Sequence, residues 1–341
     1  MPTIALTGIS GFWGRQVAQR LLLRPDVRVL GIDRLPPEPA LPGADFVKAD
    51  IRNPLLAELF AAERVDTLLH LAWREPAIPD EADFESNVLG TMQLFGMAVE
   101  GGVRRVLWRS STAVYGAAAQ NPLYLPENSP LAEQVAAPLA AHWLEIERFV
   151  ATFAAEYSST AFAALRLAHV IGAEAKSPLN RLLRQPLWPA LLGFDPLLQV
   201  LDSDDAVEAL ALAALGEWRG AVNVAAAGVL AFSQLAGKAG RPLLPLLHPL
   251  VMRLWPLAQT MPQGERLLRW LPLDPDQLRF SCLADCTQMG TVLGFAPQLN
   301  AAQAVERAVQ QQRVRRYQPA DAMSADQIMV QRQQTAGQQA P

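Results

Sequence analysis

The 341-residue chain is short of the residues that usually carry the plainest signals: two cysteines, four histidines, four tyrosines and only three lysines, Lys48, Lys176 and Lys238. Two thiols, Cys282 and Cys286, with no histidine near them make neither a disulfide framework nor a zinc site. Four positions apart, they are expected to meet on a helix as packing residues, and no metal site is expected. A formal net charge of −4 offers no basic footprint for nucleic acid or an anionic membrane surface, so neither is expected as a partner. Long apolar runs are missing as well. The most apolar stretch, Leu243 to Pro262, is interrupted by Pro245, Pro249, Arg253 and Pro256, which makes it a poor spanning helix. No basic segment followed by an apolar one opens the chain, so we expect no secretory leader and a soluble, cytoplasmic protein.

What is present is organised around one turn. Ile4-Ala5-Leu6 reads as a buried strand and Arg15 to Leu23 as a helix, so the glycines of Thr7-Gly8-Ile9-Ser10-Gly11-Phe12-Trp13-Gly14 fall at a strand-to-helix turn. Gly8 permits the tight turn, Gly11 lets backbone approach a pyrophosphate, and Gly14 lets the helix pack on the strand. The free N–H groups of the first helical turn then face an anion. Thr7, Ser10, Phe12 and Trp13 are placed to contact a dinucleotide together with these glycines. A second apolar strand, Val27 to Ile32, ends in Asp33. A carboxylate there accepts hydrogen bonds from the adenine ribose hydroxyls and repels a 2′-phosphate, which favours NAD(H) over NADP(H). Arg34 and Arg15 are the guanidiniums that could instead hold the extra phosphate.

Strands and helices alternate from there on, predicting an α/β fold with a doubly wound parallel sheet. Strands are expected at Ala44 to Val47, Thr67 to Ala72, Val106 to Ser111, Phe162 to Leu167 and Ala221 to Val224. Helices are expected at Leu55 to Arg64, Glu85 to Val99, Leu139 to Glu156 and Ala206 to Leu215. Residues 1–172, completed by about 200–228, would form the dinucleotide-binding domain. The Pro-, Leu- and Trp-rich segments 173–199 and 229–312 would form a smaller substrate lobe. The Gln- and Ala-rich stretch 313–341 is expected to be a disordered tail. Asp202, Asp204 and Asp205 could suggest a cation site, but Ser203 or Asp204 as the cap of the following helix is the simpler account.

With these motifs in place, the sequence resembles the extended short-chain dehydrogenase/reductase proteins, in the epimerase/dehydratase group that includes UDP-galactose 4-epimerase. The likeness runs from about Thr3 to Leu299. Thr7, Gly8, Gly11 and Gly14 match the opening TGxxGxxG, and Asp50-Ile51 look like the adenine-contacting pair. His70-Leu71-Ala72-Trp73 resemble the segment that runs along the cofactor, and Asn87 with Gly90-Thr91 the Asn-x-x-Gly-Thr of the next helix. Ser110-Ser111-Thr112-Ala113-Val114-Tyr115-Gly116 match Ser-Ser-x-x-Val-Tyr-Gly, in which the resemblance makes Ser111 the hydrogen-bond partner of the reacting hydroxyl. It also implies a small-molecule substrate such as a nucleotide sugar, and a homodimer paired through the helices at 85–99 and 139–156.

One part of the pattern is missing. The family's proton transfer uses a Tyr with a Lys four residues later, because a phenol is a poor base at neutral pH unless a cation stabilises its anion. No Tyr of this chain has a Lys four residues on; alignment puts Leu139 at the Tyr position and Trp143 at the Lys position. Three readings stay open. A different acid/base such as His142, Tyr124 or Glu127 takes over; or the protein binds the dinucleotide without redox chemistry, as a sensor or assembly protein; or an epimerase, dehydratase or reductase acts on a more apolar substrate.

Overall fold

The computed structural model describes residues 1–260 and 269–317. Its elements begin with β1 (Thr3–Thr7), α1 (Phe12–Leu22), β2 (Arg28–Asp33), β3 (Ala44–Lys48), α2 (Leu56–Ala62) and β4 (Thr67–His70). They continue with α3 (Glu81–Phe84), one wide π-type turn over Glu85–Leu89, α4 (Gly90–Glu100), β5 (Arg105–Ser111), α5 (Pro138–Glu156), β6 (Ala161–Leu167) and β7 (His169–Ile171). After these come α6 (Pro178–Leu183), β8 (Trp188–Leu191), β9 (Leu197–Leu198), β10 (Val200–Asp202), α7 (Ser203–Leu215) and β11 (Gly220–Val224). Then follow β12 (Leu230–Ala231), α8 (Phe232–Ala239), β13 (Leu243–Leu246), α9 (His248–Thr260) and two further helices, Thr287–Leu293 and Ala301–Tyr317.

Seven strands form one parallel sheet in the order β11-β6-β5-β4-β1-β2-β3. Its central strands are buried on both faces, which is why they read as near-continuous apolar runs rather than alternating ones. One face packs α1 and α7 through Trp13, Val17, Leu21, Val207 and Leu210. The other packs α2, α4 and α5 through Leu56, Phe60, Leu94, Phe95, Ile146 and Val150. Strand order reverses between β1 and β4, and in an open α/β sheet ligands bind at the strands' carboxyl ends beside such a reversal. A second core, with Leu179, Trp188, Leu198, Phe232, Leu235 and Leu273 buried, joins the short strand pairs to α6, α8 and the helix Ala301–Tyr317. Among the described residues no helix is long and apolar enough to cross a membrane.

Several local expectations need correction. The helix expected to start at Glu85 starts at Glu81, because Asp80 closes a reciprocal capping box with Asp83. Helix α7 starts at Ser203, and its cap is Asp202, whose carboxylate accepts the Asp204 N–H at 2.8 Å. The acidic cluster is consumed by the fold: Arg307 pairs with Asp202 and Asp204, and Asp205 accepts the N–H groups of Gln298 and Leu299. Cys282 and Cys286 lie on an irregular stretch that bridges Leu125 through Ala284, not on a helix. Burial pushes both thiols up to about 12. The helix Ala301–Tyr317 carries order five residues into the stretch expected to be a tail; residues 318–341 of that tail lie outside the described residues.

Candidate functional site

Where β1 hands over to α1, backbone stands closer to backbone than side chains allow. Gly8 has φ 75°, and a Cβ there would sit 2.7 Å from Ala72 Cα. A Cβ on Gly14 would sit 2.1 Å from the Gly8 carbonyl oxygen. Helix α1 is capped by Gly11 with no side-chain acceptor and has no acidic residue in its first turn. The first N–H groups of α1 therefore face the cleft uncapped by any side chain. Asp33, ending β2, braces the turn from the side: its carboxylate accepts Ser10 N–H at 3.0 Å and Arg34 N–H at 2.7 Å. The Ser10 hydroxyl itself donates to the Leu35 carbonyl at 2.5 Å. Asp50 is gripped by Arg52 through two side-chain bonds at 2.9 and 3.0 Å, which hold its carboxyl below the usual range.

Three cavities run in series from this turn. The first, ≈ 170 Å³, is lined by Gly8, Gly11, Asp33, Arg34, Asp50, Ile51, Leu71, Ala72 and Trp73, all picked out in the sequence. The second, ≈ 350 Å³, shares Gly11, Leu71 and Trp73 with the first and adds Phe12, Trp13, Glu75, Asp83 and Lys176. The third is only ≈ 60 Å³; it contains Ser111 and is walled by Trp13, Glu75, Arg109, Leu139, Trp143 and His169. A further cavity of ≈ 600 Å³ adjoins it across Ala113 and Gln277.

Other residues picked out in the sequence do structural work behind these walls. Thr7 and Asn87 are wholly buried. The Thr7 hydroxyl bonds His70 Nδ1 at 2.8 Å and accepts the Leu71 N–H at 3.3 Å. The far side of His70 meets the Thr91 hydroxyl at 2.9 Å, and burial pushes the imidazole down to about 3. Asn87, within the π-type turn, grips the Arg74 backbone with its amide at 2.9 Å in both directions. Together they fix the segment after β4 that floors the first two cavities.

The candidates for proton transfer do not converge on Ser111. His142 is buried between Asn87 and Phe84, with its pKa lowered by burial, and does not line the Ser111 cavity. Tyr124 is 46% exposed and lines none of these cavities. Glu127 accepts the Asn223 N–H at 3.0 Å. The imidazole that does line the cavity is that of His169, held neutral by burial at about 4. Tyr115 is also committed elsewhere, donating to Asn223 at 2.8 Å and accepting from Arg166 at 2.7 Å. Arg166 in turn makes a bidentate pair with Glu147 at 2.9 and 3.0 Å, and Glu147 accepts the Ser110 hydroxyl at 2.7 Å. This buried lattice ties β5, α5 and β6 together through Ser110, the residue before Ser111.

The most charged feature of the site was missed in the sequence. Arg109, 6% exposed, points from β5 to Glu75 at 2.9 Å. Its guanidinium carbon lies 4.8 Å from the Trp13 ring and 5.5 Å from that of Trp143, a cation held between two indoles. Trp13 Nε1 donates to Glu75 at 3.3 Å, and Trp143 stacks on Trp73 at 5.7 Å with planes 10° apart. The available signal was an arginine inside the buried run Arg105–Ser111, which requires a carboxylate partner.

Comparison with known proteins agrees with this architecture. Residues 4–225 match the model of the NAD dependent epimerase/dehydratase family. Uncharacterized protein Rv0501 of Mycobacterium tuberculosis is 31% identical over 315 residues, which cover 89% of this chain and 82% of that protein. The UDP-glucose 4-epimerase of Thermotoga maritima, solved with UDP-glucose, has a TM-score of 0.68 at 19% identity, covering 92% of this chain and 99% of that one. The dTDP-glucose 4,6-dehydratase of Bacillus anthracis, solved with NAD, has a TM-score of 0.68 at 14% identity, covering 92% and 97%.

Proposed function

Because the chain belongs to the NAD dependent epimerase/dehydratase family, we propose that it binds NAD(H) in the glycine-turn cleft and has lost the family's standard proton transfer. Asp33 would take the adenine ribose, and the open amides of α1 the diphosphate. Ser111 would hold a substrate hydroxyl. A nucleotide sugar fits the family, and the ≈ 600 Å³ cavity beyond Ala113 has room for one. The observation that carries the reading is the Ser111 cavity: Leu139 and Trp143 wall it, and no phenol or ammonium is among its lining residues. A leucine has no proton to move. The reading includes a homodimer through α4 and α5, supported by half-buried Phe149 and Phe153 on α5 and exposed Tyr157 just past its end.

Titration calorimetry with NAD, followed by a search for reduced nicotinamide on adding UDP-sugars, tests this. Heat without reduction is expected; rapid reduction overturns the loss of chemistry. One observation favours a second reading, an enzyme with a displaced acid/base: His169 shares the cavity with Ser111. An imidazole held at about 4 is a weak base at neutral pH. That reading requires turnover that disappears in His169→Ala.

A further inference from the structure

The chain fills the space beside Ser111 with its own side chains. Trp13 and Glu75 line both the ≈ 350 Å³ trough and the ≈ 60 Å³ Ser111 cavity, so they form the partition between them. Trp13 is 7% exposed, and the Glu75 and Arg109 side chains 9% and 6%. Three contacts hold the partition shut: the Trp13–Glu75 hydrogen bond, the Glu75–Arg109 ion pair, and the seat of Arg109 between Trp13 and Trp143. Trp143 is in turn pinned by its stack on Trp73. The adenosine and diphosphate portions of a dinucleotide therefore meet a preformed trough, in which a glycine cradle would be filled by any Cβ. A nicotinamide, carried on from those portions and the second ribose toward Ser111, meets an indole and a buried salt bridge with only the ≈ 60 Å³ Ser111 cavity directly behind them. Admitting it means parting a desolvated ion pair, which strands both charges.

We infer that this chain recognises the adenosine diphosphate-ribose portion common to NAD, NADH and ADP-ribose and excludes the nicotinamide, so that its ligand class is ADP-ribosyl compounds rather than a redox cofactor. This rests on the glycine-turn cleft being the dinucleotide site. It assigns Trp13, Glu75 and Arg109 as the residues that set the specificity.

Calorimetry on the full chain with NAD and with ADP-ribose decides it. Dissociation constants within about twofold of each other are expected, and bound NADH should keep the emission of free NADH, its ring remaining in water. NAD tighter than ADP-ribose by about tenfold or more, with shifted NADH emission, overturns the inference while leaving dinucleotide binding intact. No heat from either compound removes the cleft assignment itself. In the paired substitution Glu75→Ala with Arg109→Ala, which strands no charge, NAD should gain on ADP-ribose; an unchanged ratio in the folded variant overturns the role of the partition. Should that variant fail to fold, the ratio measured on the parent still decides.

Discussion

Replacing Glu75 by alanine removes the carboxylate facing Arg109 at 2.9 Å and leaves a guanidinium that is 6% exposed. Breaking one side of a buried pair costs about 3–5 kcal/mol, because the surviving charge has neither partner nor water. The two indoles 4.8 and 5.5 Å away remain, and desolvated cation–π contacts contribute about 0.5–2 kcal/mol. The expected loss is therefore about 2–4 kcal/mol. Arg109→Ala strands the carboxylate instead, while the double variant strands neither, so the double variant should be more stable than the summed single effects by about 2 kcal/mol or more. Urea unfolding followed by tryptophan emission, run as a double-mutant cycle, measures all of these. A cost for Glu75→Ala below about 1 kcal/mol, the range of exposed pairs, would show that water reaches Arg109 and that the partition is not sealed.

Gly14→Ala places a methyl 2.1 Å from the Gly8 carbonyl oxygen; it should cost about 3 kcal/mol and abolish nucleotide binding, and parental stability in urea would show that α1 can back away freely. Burial raises the Asp274 carboxyl to about 6 from 3.8. The folded chain thus holds a proton there that the unfolded chain has released, and the stability this gives at acid pH is lost as pH rises through 6. Asp274→Asn keeps an oxygen acceptor for the Gln277 N–H and should stabilise by about 2–3 kcal/mol at about pH 7, with little effect below about pH 4; equal effects at both pH values would contradict a buried acid. Leu139→Tyr with Trp143→Lys should install no hydride transfer, since Trp13 and Glu75 still wall the cavity; reduced nicotinamide appearing with a UDP-sugar would show that the missing pair alone silences the site.

What the sequence disclosed was local. Gly8, Gly11 and Gly14 lie within seven positions, and Asp33 ends the very next strand, so spacing alone placed them in one cleft. The alternation of apolar strands and amphipathic helices gave the parallel sheet for the same reason. Helix starts slipped where a cap outbid the apolar pattern, at Asp80 and Asp202. The Arg109–Glu75 pair was hidden because its members sit 34 positions apart, one on β5 and the other on the segment after β4, and only the lateral pairing of β4 with β5 brings them together. His142 looked eligible because it falls one helical turn from Leu139, but on α5 that position turns toward Asn87 and Phe84, while the histidine that lines the cavity is His169, the first residue of β7.

The central claim is that a dinucleotide sits with its diphosphate on the Gly8–Gly14 turn and its adenine ribose on Asp33. Calorimetric titration of NAD into the parent and into Asp33→Ala tests it most directly. One NAD per chain with saturable heat, weakened about tenfold or more by the substitution, is the result expected; no heat from the parent, or equal affinity in the variant, would contradict it.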